Sequence, residues 1–175
     1  EYTRTSYYMR KFMGKFENNT EYSNNYHLWV IFRYAEILLN YAEAQNEYLN
    51  APTQDIYDAV KALRIRAGID SGSNNMYGLE ENIMTKEKMR EVIQNERRIE
   101  MAFEGQRFWD IRRWRIAEEI FSSPLKGMNI THTTTSDIYS EVDILNVNFE
   151  SKHYLFPIPY SEVVKNENLI QNPGW

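Results

Sequence analysis

The sequence lacks the residues on which several classes of protein depend. Its 175 residues include no cysteine, which excludes disulfide bonds, a thiolate nucleophile and cysteine-ligated zinc. The seven glycines are scattered, and no glycine-rich loop of the kind that cradles phosphate occurs. No apolar run approaches the roughly 20 residues that a helix needs to cross a bilayer. The hydrophobic content of 42% is nevertheless typical of a globular protein.

Basic residues are outnumbered by acidic ones. Asp and Glu total 25 against 20 Lys and Arg, which gives a formal net charge of −5. Binding to nucleic acid requires a basic excess that neutralises phosphates. Arginines do cluster between residues 97 and 115, but acidic residues interleave with them. The sequence therefore predicts no nucleic-acid partner.

Recognisable catalytic and metal-binding motifs are missing as well. Neither Gly-x-Ser-x-Gly nor His-Glu-x-x-His occurs, and the three histidines stand in regions predicted to be loop or strand. Glu96, Glu100 and Glu104 share one helix face, a spacing compatible with carboxylate metal ligands or a glycosidase pair. Salt bridges to neighbouring arginines explain the same face more simply. We therefore assign no catalytic residue, no cofactor and no metal ligand.

Aromatic residues, by contrast, are abundant: 13 Tyr, 8 Phe and 4 Trp. Tyr and Trp combine an apolar face with a polar group, which suits protein cores and wet binding surfaces alike. Sugar-binding sites use such rings, because the C–H groups of a pyranose pack on an aromatic face. Trp29, Trp109 and Trp114 fall in periodic segments and are interpreted as core residues. The candidate ligand-contacting residues are four tyrosines of the polar opening segment: Tyr7, Tyr8, Tyr22 and Tyr26.

Apolar periodicity predicts an antiparallel pair of helices over about 30–68. The predicted buried face of the first helix, which starts at Trp29, is Val30, Tyr34, Ile37, Leu38, Tyr41, Gln45 and Tyr48. Pro52 interrupts the pattern, Thr53 is a candidate N-cap, and Gly68 predicts a left-handed C-cap. The pair has the length of one tetratricopeptide repeat, whose apolar faces require stacked neighbours.

A long helical region is predicted over about 85–121, and a β or extended region over about 122–175. Thr85 is the candidate N-cap of the helical region, Gly105 is expected to bend it, and Pro124 follows its end. In the second region, period-two alternation over 145–149 and a return over 154–156 predict a small β-hairpin, followed by an extended tail. The predicted fold class is mainly α, within a single segment, 1–175.

Residues 96–114 are the most informative stretch of the chain. They mix large apolar residues with arginines and acids, and an unpaired buried charge costs several kcal/mol. We therefore predict that these charges pair, forming an ion-paired seam between the helical pair and the long helix. The seam residues are Arg97, Arg98, Glu100, Glu104, Arg107, Asp110 and Arg112, with Glu36 and Glu43 on the first helix.

Four blocks resemble, in the same order, the pattern of the SusD/RagB family. They are residues 33–47 (Arg-Tyr-Ala-Glu-Ile-Leu-Leu-Asn-Tyr-Ala-Glu-Ala-Gln-Asn-Glu), 63–68 (Leu-Arg-Ile-Arg-Ala-Gly), 96–114, and 156–162 with 166–175. Residues 7–11 also resemble the family's approach to this region. Each block alone is a weak signal, whereas the ordered set is highly specific.

Members of that family are outer-membrane nutrient-binding lipoproteins of Bacteroidetes. The resemblance implies a SusD-like fold and a surface protein that captures glycans, or peptides in some members. It also implies delivery to a SusC-type TonB-dependent transporter, without catalysis. The chain resembles only the C-terminal portion of family members. The signal peptide, the lipid anchor at the outer membrane and further helical repeats are therefore expected outside it.

Two alternative functions stay open. In the first, the chain is a scaffold or protein-interaction segment that touches no ligand, because the resemblance implies that ligand contacts lie mostly in preceding segments. Otherwise it is a glycoside hydrolase, since two carboxylates suffice to cleave a glycosidic bond. Oligosaccharide binding tests the first alternative, and release of reducing sugar tests the second.

Overall fold

The computed structural model describes residue 3 and residues 9–14, 28–80 and 85–175. The described residues fall into two units, one drawn from Lys11–Arg107 and the other from Glu1–Arg10 with Phe108–Trp175. The first unit holds three long helices, and the second holds short helices and a β-hairpin. Among the described residues, no helix has the length and apolar character that crossing a membrane demands. The mainly α fold class with a small β element is confirmed.

A pair of helices, α1 (Tyr34–Tyr48) and α2 (Gln54–Arg66), opens the first unit. They pack against each other, as the periodicity predicted. The first begins at Tyr34 rather than Trp29. Thr53 is the N-cap of α2, although its side chain makes no capping hydrogen bond.

The end of α2 is a left-handed cap built on Gly68. The N–H of Gly68 donates to the Ile65 carbonyl at 3.0 Å, and that of Ile69 donates to the Arg64 carbonyl at 3.1 Å. These are the two bonds of a Schellman motif. Gly68 has φ +77°, and a Cβ added there would meet nothing within 4 Å. Backbone conformation rather than crowding therefore favours glycine at this position.

The buried face of α1 differs from the predicted one. Its buried residues are Ala35, Leu39, Ala42 and Asn46. Tyr34 and Tyr48, which the sequence placed inside, are 71% and 85% exposed. The helical period was right and its phase was wrong, because small alanines let neighbouring helices approach while tyrosine suits either environment.

The third helix, α3 (Lys86–Glu100), packs on α1 and completes the unit's core. Thr85 caps it as predicted, accepting a hydrogen bond from the Lys88 N–H at 3.2 Å. Its buried apolar side chains join those of α1 and α2. The larger core cluster comprises Ala42, Ile56, Tyr57, Ala59, Val60, Leu79, Met89 and Ile93, and the smaller one Ala35, Leu39, Leu63 and Met101.

The long helical region is broken rather than bent at Gly105. The helix α3 ends at Glu100, and Phe103 and Gly105 both have left-handed backbone, with φ +64° and +77°. A new helix, α4 (Gln106–Arg113), then begins. The predicted irregularity at Gly105 is thus confirmed, but Phe103 lies outside the helix and is 64% exposed.

From Phe108 onward the chain belongs to the second unit. After α4 it forms the short helix α5 (Ala117–Ile120) and two antiparallel strands, β1 (Leu125–His132) and β2 (Asp137–Leu145). A 3₁₀ turn (Ser151–Tyr154) and a short helix, α6 (Tyr160–Val163), follow.

The predicted position of the β-hairpin is wrong. The strands pair from His132 with Asp137 back to Leu125 with Leu145, ahead of the predicted segment. Nearly every hairpin residue is exposed, so neither face produces the apolar alternation that marks a half-buried strand. The turn expected over 150–153 is present, as the 3₁₀ helix, but the flanking residues 146–149 and 155–156, expected to be strands, are not in one. A reciprocal capping box between Glu150 and His153 fixes the turn.

Candidate functional site

Three cations of the first unit converge on two carboxylates, one at the last residue of α3 and one in the turn that follows. Arg33 holds Glu104 side-on, with Nε 2.8 Å from Oε2 and Nη2 2.7 Å from Oε1. Its Nη1 also pairs with Glu100, and Arg66 Nη2 reaches both oxygens of Glu100 at 2.6 Å. The Glu100 and Glu104 side chains are only 10% and 4% exposed. Each buried carboxylate is therefore held by two or more donors.

Lys11 completes this cluster from a distant part of the sequence. Its ammonium pairs with the Glu104 carboxylate and donates to the carbonyls of Glu100 and Ala102, at 2.9 and 2.8 Å. Those carbonyls lie where α3 gives way to the turn. All three donors of the lysine are therefore used in fixing the end of α3.

The electrostatics of the Arg33–Glu104 pair favour the ionised form of both groups. Burial acts to raise the pKa of Glu104, but hydrogen bonds from Arg33 and Lys11 outweigh it, and the pKa lies below its ordinary value. The hydrogen bond to Glu104 is the main reason that the pKa of Arg33 is raised. Groups that stay ionised at neutral pH do not exchange protons with a substrate, so this cluster has a structural character.

The cluster forms the floor of a cleft of about 630 Å³. The apolar walls of the cleft are Phe12, Met13, Leu28, Val30, Ile99 and Phe103. Phe12 and Phe103 both have left-handed backbone, with φ +69° and +64°, a conformation that bulky residues rarely adopt. The cleft thus joins an ionised floor to apolar walls within one unit.

A second set of charge contacts joins the three long helices. Arg64 of α2 lies 2.9 Å from the Glu96 carboxylate and donates to the Tyr77 carbonyl at 3.0 Å. Arg97, which is 4% exposed, donates to Asn40 Oδ1 at 2.6 Å. Polar side chains of α3 therefore contact both α1 and α2.

Within the first unit, three residues of the predicted seam take part in the charge and polar contacts described above. Glu100 and Glu104 share the cluster described above, and Arg97 is buried beside Asn40. Arg98 is exposed and bonds Asn95, one turn away, at 2.9 Å. Arg107 lies in α4, and Glu36 and Glu43 lie in α1.

Asp110 and Arg112 belong to the second unit. Asp110 is 3% exposed and pairs with Arg113 at 3.0 Å. Arg112 stacks on Phe108, with its guanidinium carbon 3.5 Å from the ring centroid. Its Nε is buried without a hydrogen-bond partner among the described residues, and burial lowers the pKa of this arginine. Its Nη1 donates to the Phe108 carbonyl at 2.9 Å, so an aromatic face and a carbonyl are the described partners of Arg112.

Sequence reasoning did not select Lys11, Arg33, Arg64 or Arg66 as members of the charged cluster. Arg33 opens the block 33–47, and Arg64 and Arg66 lie in the block 63–68. Their position in the blocks that carry the family resemblance was the available signal. Lys11 ends the segment 7–11, which also resembles the family, but its partners lie about ninety residues away and spacing did not link them.

Three exposed aromatic rings meet on the surface of the second unit, and we call them the aromatic surface. Phe108 and Trp109 lie 5.0 Å apart edge to face, and Phe156 lies 6.4 and 6.1 Å from them. They are 43%, 58% and 59% exposed. The interpretation of Trp109 as a core residue is therefore wrong, because α4 buries Asp110 and Ile111 instead.

Other predicted site residues stand apart from these features. Trp29 was also predicted in the core and is 69% exposed, whereas Trp114 is half-buried under Arg113. The four candidate ligand-contacting tyrosines, Tyr7, Tyr8, Tyr22 and Tyr26, lie outside the described residues. Within the described ranges, no three His, Asp or Glu side chains are grouped as a metal ion would require.

A helical pair closed by a third helix in the first unit defines a mainly α scaffold of the tetratricopeptide-like kind, and the second unit adds a small hairpin. The model of the SusD family matches residues 1–175. The chain belongs to the SusD family.

Relatives agree with this assignment. SusD-like protein P2 of Formosa agariphila is 36% identical over 160 residues, which cover 90% of this chain and 27% of that protein. A crystal structure of a SusD-like protein from Bacteroides fragilis matches with a TM-score of 0.67 and 36% identity, covering 84% of this chain and 26% of that one. A SusD homolog from Bacteroides thetaiotaomicron matches with a TM-score of 0.62 and 29% identity, covering 89% and 30%. The chain spans less than a third of the length of these relatives.

Proposed function

We propose that this chain is part of a cell-surface protein that captures oligosaccharide and passes it to a SusC-type TonB-dependent transporter. The protein acts at the outer membrane, held by a lipid anchor outside this chain, and performs no catalysis. Membership of the SusD family across residues 1–175 is the observation that carries this proposal.

The aromatic surface supports a direct contact with sugar. Phe108, Trp109 and Phe156 present apolar faces to solvent within 6.4 Å of one another. Exposed aromatic groups of this kind mark binding surfaces more often than scattered apolar residues do. The predicted tyrosines, Tyr7, Tyr8, Tyr22 and Tyr26, are a second candidate set for the same role.

The ion-paired cluster serves the scaffold in this proposal. Its cations donate to its carboxylates and to backbone carbonyls, so these contacts hold α1, α2 and the end of α3 in one arrangement. This division assigns rigidity to the first unit and sugar contact to the aromatic surface of the second.

Tryptophan fluorescence and titration calorimetry with neutral hexasaccharides of differing linkage (maltohexaose, cellohexaose, xylohexaose) test the proposal. We expect at least one to bind the 175-residue chain. Trp109→Ala and Phe156→Ala should each weaken that affinity at least tenfold, about 1.4 kcal/mol. Tyr48→Ala, an exposed aromatic of the first unit, is the matched control and should leave the affinity unchanged.

The alternatives give different results in the same experiment. If no oligosaccharide binds, the chain is a scaffold or interaction segment that touches no ligand. Binding of peptides in place of sugars would change the ligand class, and release of reducing sugar would contradict the non-catalytic assignment. Co-purification with a co-expressed SusC-type transporter tests the delivery step.

A further inference from the structure

The helix α4 ends in the same motif as α2, but with an arginine where α2 has a glycine. The N–H of Arg115 donates to the Arg112 carbonyl at 3.0 Å, and that of Ile116 donates to the Ile111 carbonyl at 3.0 Å. Arg115 has φ +57°. A side chain in this left-handed position costs conformational energy that glycine avoids. Gly68 shows that glycine suits this position after α2, yet the equivalent position after α4 holds an arginine.

The strained backbone places the Arg115 guanidinium over an aromatic ring. It lies 4.4 Å from the centroid of Tyr154, whose hydroxyl accepts a hydrogen bond from the Glu118 N–H at 3.2 Å. Phe149 meets the same ring edge to face at 5.0 Å. The tyrosine is therefore fixed from two sides, and the guanidinium on it is held in place.

Arg115 lies at the edge of a cleft in the second unit, here called the Arg115 cleft. Its volume is about 490 Å³, within the range of small-molecule sites. The lining residues are Arg115, Glu150, Ser151, Lys152, Tyr154, Leu155, Pro173 and Gly174. Hydroxyl groups, apolar side chains and a guanidinium therefore face one space.

The charges of the cleft leave Arg115 uncompensated. Glu150 is the one acid among the described residues that line it, and its carboxylate lies 3.3 Å from the Lys152 ammonium. Asn148 also donates to this carboxylate at 3.1 Å. In the part of the chain that the structure describes, no carboxylate forms an ion pair with Arg115, so its charge is available to a ligand.

Gly174 lines the cleft where the backbone of the tail lies close to the Lys152 side chain. A Cβ at Gly174 would lie 2.9 Å from the Lys152 Cβ, closer than real Cβ contacts allow. The indole N–H of Trp175 donates to the carbonyls of Lys152 and Leu155, both at 3.1 Å. The tail is thereby held against the 3₁₀ turn, and the cleft has two anchored walls.

We propose that the Arg115 cleft binds the carboxylate of a uronic-acid unit in an acidic oligosaccharide. A guanidinium offers two parallel N–H donors that match the two oxygens of a carboxylate. The Ser151 hydroxyl is placed for sugar hydroxyl groups, and Leu155 and Pro173 for the apolar face of the ring. This inference rests on the proposed function, since it takes the ligand to be a saccharide and names its class.

Calorimetry of the 175-residue chain with tetragalacturonate and with neutral maltotetraose tests the proposal. We expect tetragalacturonate to bind at least tenfold more tightly than maltotetraose. Arg115→Gly should reduce tetragalacturonate affinity at least tenfold without lowering the thermal midpoint, because glycine suits the left-handed position. Arg115→Lys retains the charge without the planar pair of donors and should give an intermediate affinity. Arg98→Ala, which removes an exposed arginine of α3, is the control and should change neither quantity.

Other outcomes would overturn this inference and can be told apart from failure of the proposed function. Equal binding of the neutral and acidic sugars, or unchanged affinity in Arg115→Gly, overturns the assignment of the cleft and leaves oligosaccharide capture standing. If inorganic sulfate competes as well as galacturonate, the cleft is a general anion site and the saccharide assignment is wrong. If neither these sugars nor the neutral hexasaccharides bind, both proposals fail for this chain.

Discussion

Arg33 donates two parallel hydrogen bonds, of 2.8 and 2.7 Å, to the carboxylate of Glu104, which lies 71 residues away in sequence. The arginine stands at the N-cap of α1, yet its side chain makes no capping hydrogen bond. It reaches instead to the turn that follows α3, so one guanidinium ties the start of the first helix to the end of the third.

Removing this guanidinium should destabilise the chain. Arg33→Ala leaves the Glu104 carboxylate, 4% exposed, without its two-point partner. Breaking a buried ion pair costs 3–5 kcal/mol in general, and we expect about 3 kcal/mol here because Arg33 retains 21% exposure. Urea denaturation of the chain measures the difference. Arg98→Ala, at an exposed site on α3, is the control and should stay within about 0.5 kcal/mol. A loss that small for Arg33→Ala would show that the pair contributes nothing.

Acid should weaken the same cluster. The pKa of Glu104 is lower in the folded chain than its ordinary value of 4.5, so the stabilisation is complete above that pH. It is lost as the pH falls through the lowered pKa. At pH values below about 4.5 we expect the thermal midpoint to fall. In Glu104→Gln this fall should be smaller. Glu91 has a side chain that is 70% exposed, and Glu91→Gln should leave the fall of the thermal midpoint at low pH unchanged. If the thermal midpoint of Glu104→Gln falls with decreasing pH as steeply as that of the original chain, the prediction is contradicted.

The two faces of α1 should respond very differently to truncation. Leu39 is fully buried, and Leu39→Ala should cost about 3 kcal/mol through lost burial and the cavity left behind. Tyr48 lies on the same helix and is 85% exposed, so Tyr48→Ala should change stability by less than about 0.5 kcal/mol. Chemical denaturation of both variants decides between the observed face and the one predicted from spacing. A larger loss at Tyr48 would favour the predicted face.

Glycine at position 68 should matter through its backbone alone. Gly68→Ala forces a Cβ into the left-handed region without any steric contact, and should cost about 1 kcal/mol. Asparagine tolerates this conformation better, so Gly68→Asn should lose about half as much. Differential scanning calorimetry compares the two. Equal losses would point to a cause other than backbone conformation.

Local signals in the sequence identified several elements of the fold. Thr85 and Gly68 marked a helix start and a helix end, since each acts through bonds to residues within five positions. Gly105 marked the break before α4 because a left-handed backbone, here φ +77°, is a local preference of glycine. The ordered blocks identified the family, because their spacing carries more information than any one of them.

The remaining features depend on residues far apart in sequence. The cluster at Glu104 needs Lys11 and Arg33, and no periodicity links these three positions. The phase of α1 was misjudged because a tyrosine such as Tyr34 fits a core and a wet surface equally well. Arg112 was assigned a carboxylate partner from its neighbours in sequence, whereas in the fold it lies over an aromatic ring. Charge partners follow from packing, which composition and spacing do not specify.

The exposed hairpin has a consequence for how the chain behaves at high concentration. Within the described residues the sheet has two strands, so each has one edge without a neighbouring strand there, and such edges are templates for pairing with another molecule. Here Lys126 pairs with Asp143 at 2.5 Å across the strands, and Glu141 adds a further charge beside exposed Tyr139. Charged side chains on edge strands oppose such assembly. Substitutions that neutralise these charges should therefore lower solubility before they alter the fold, and concentrated salt should act in the same direction.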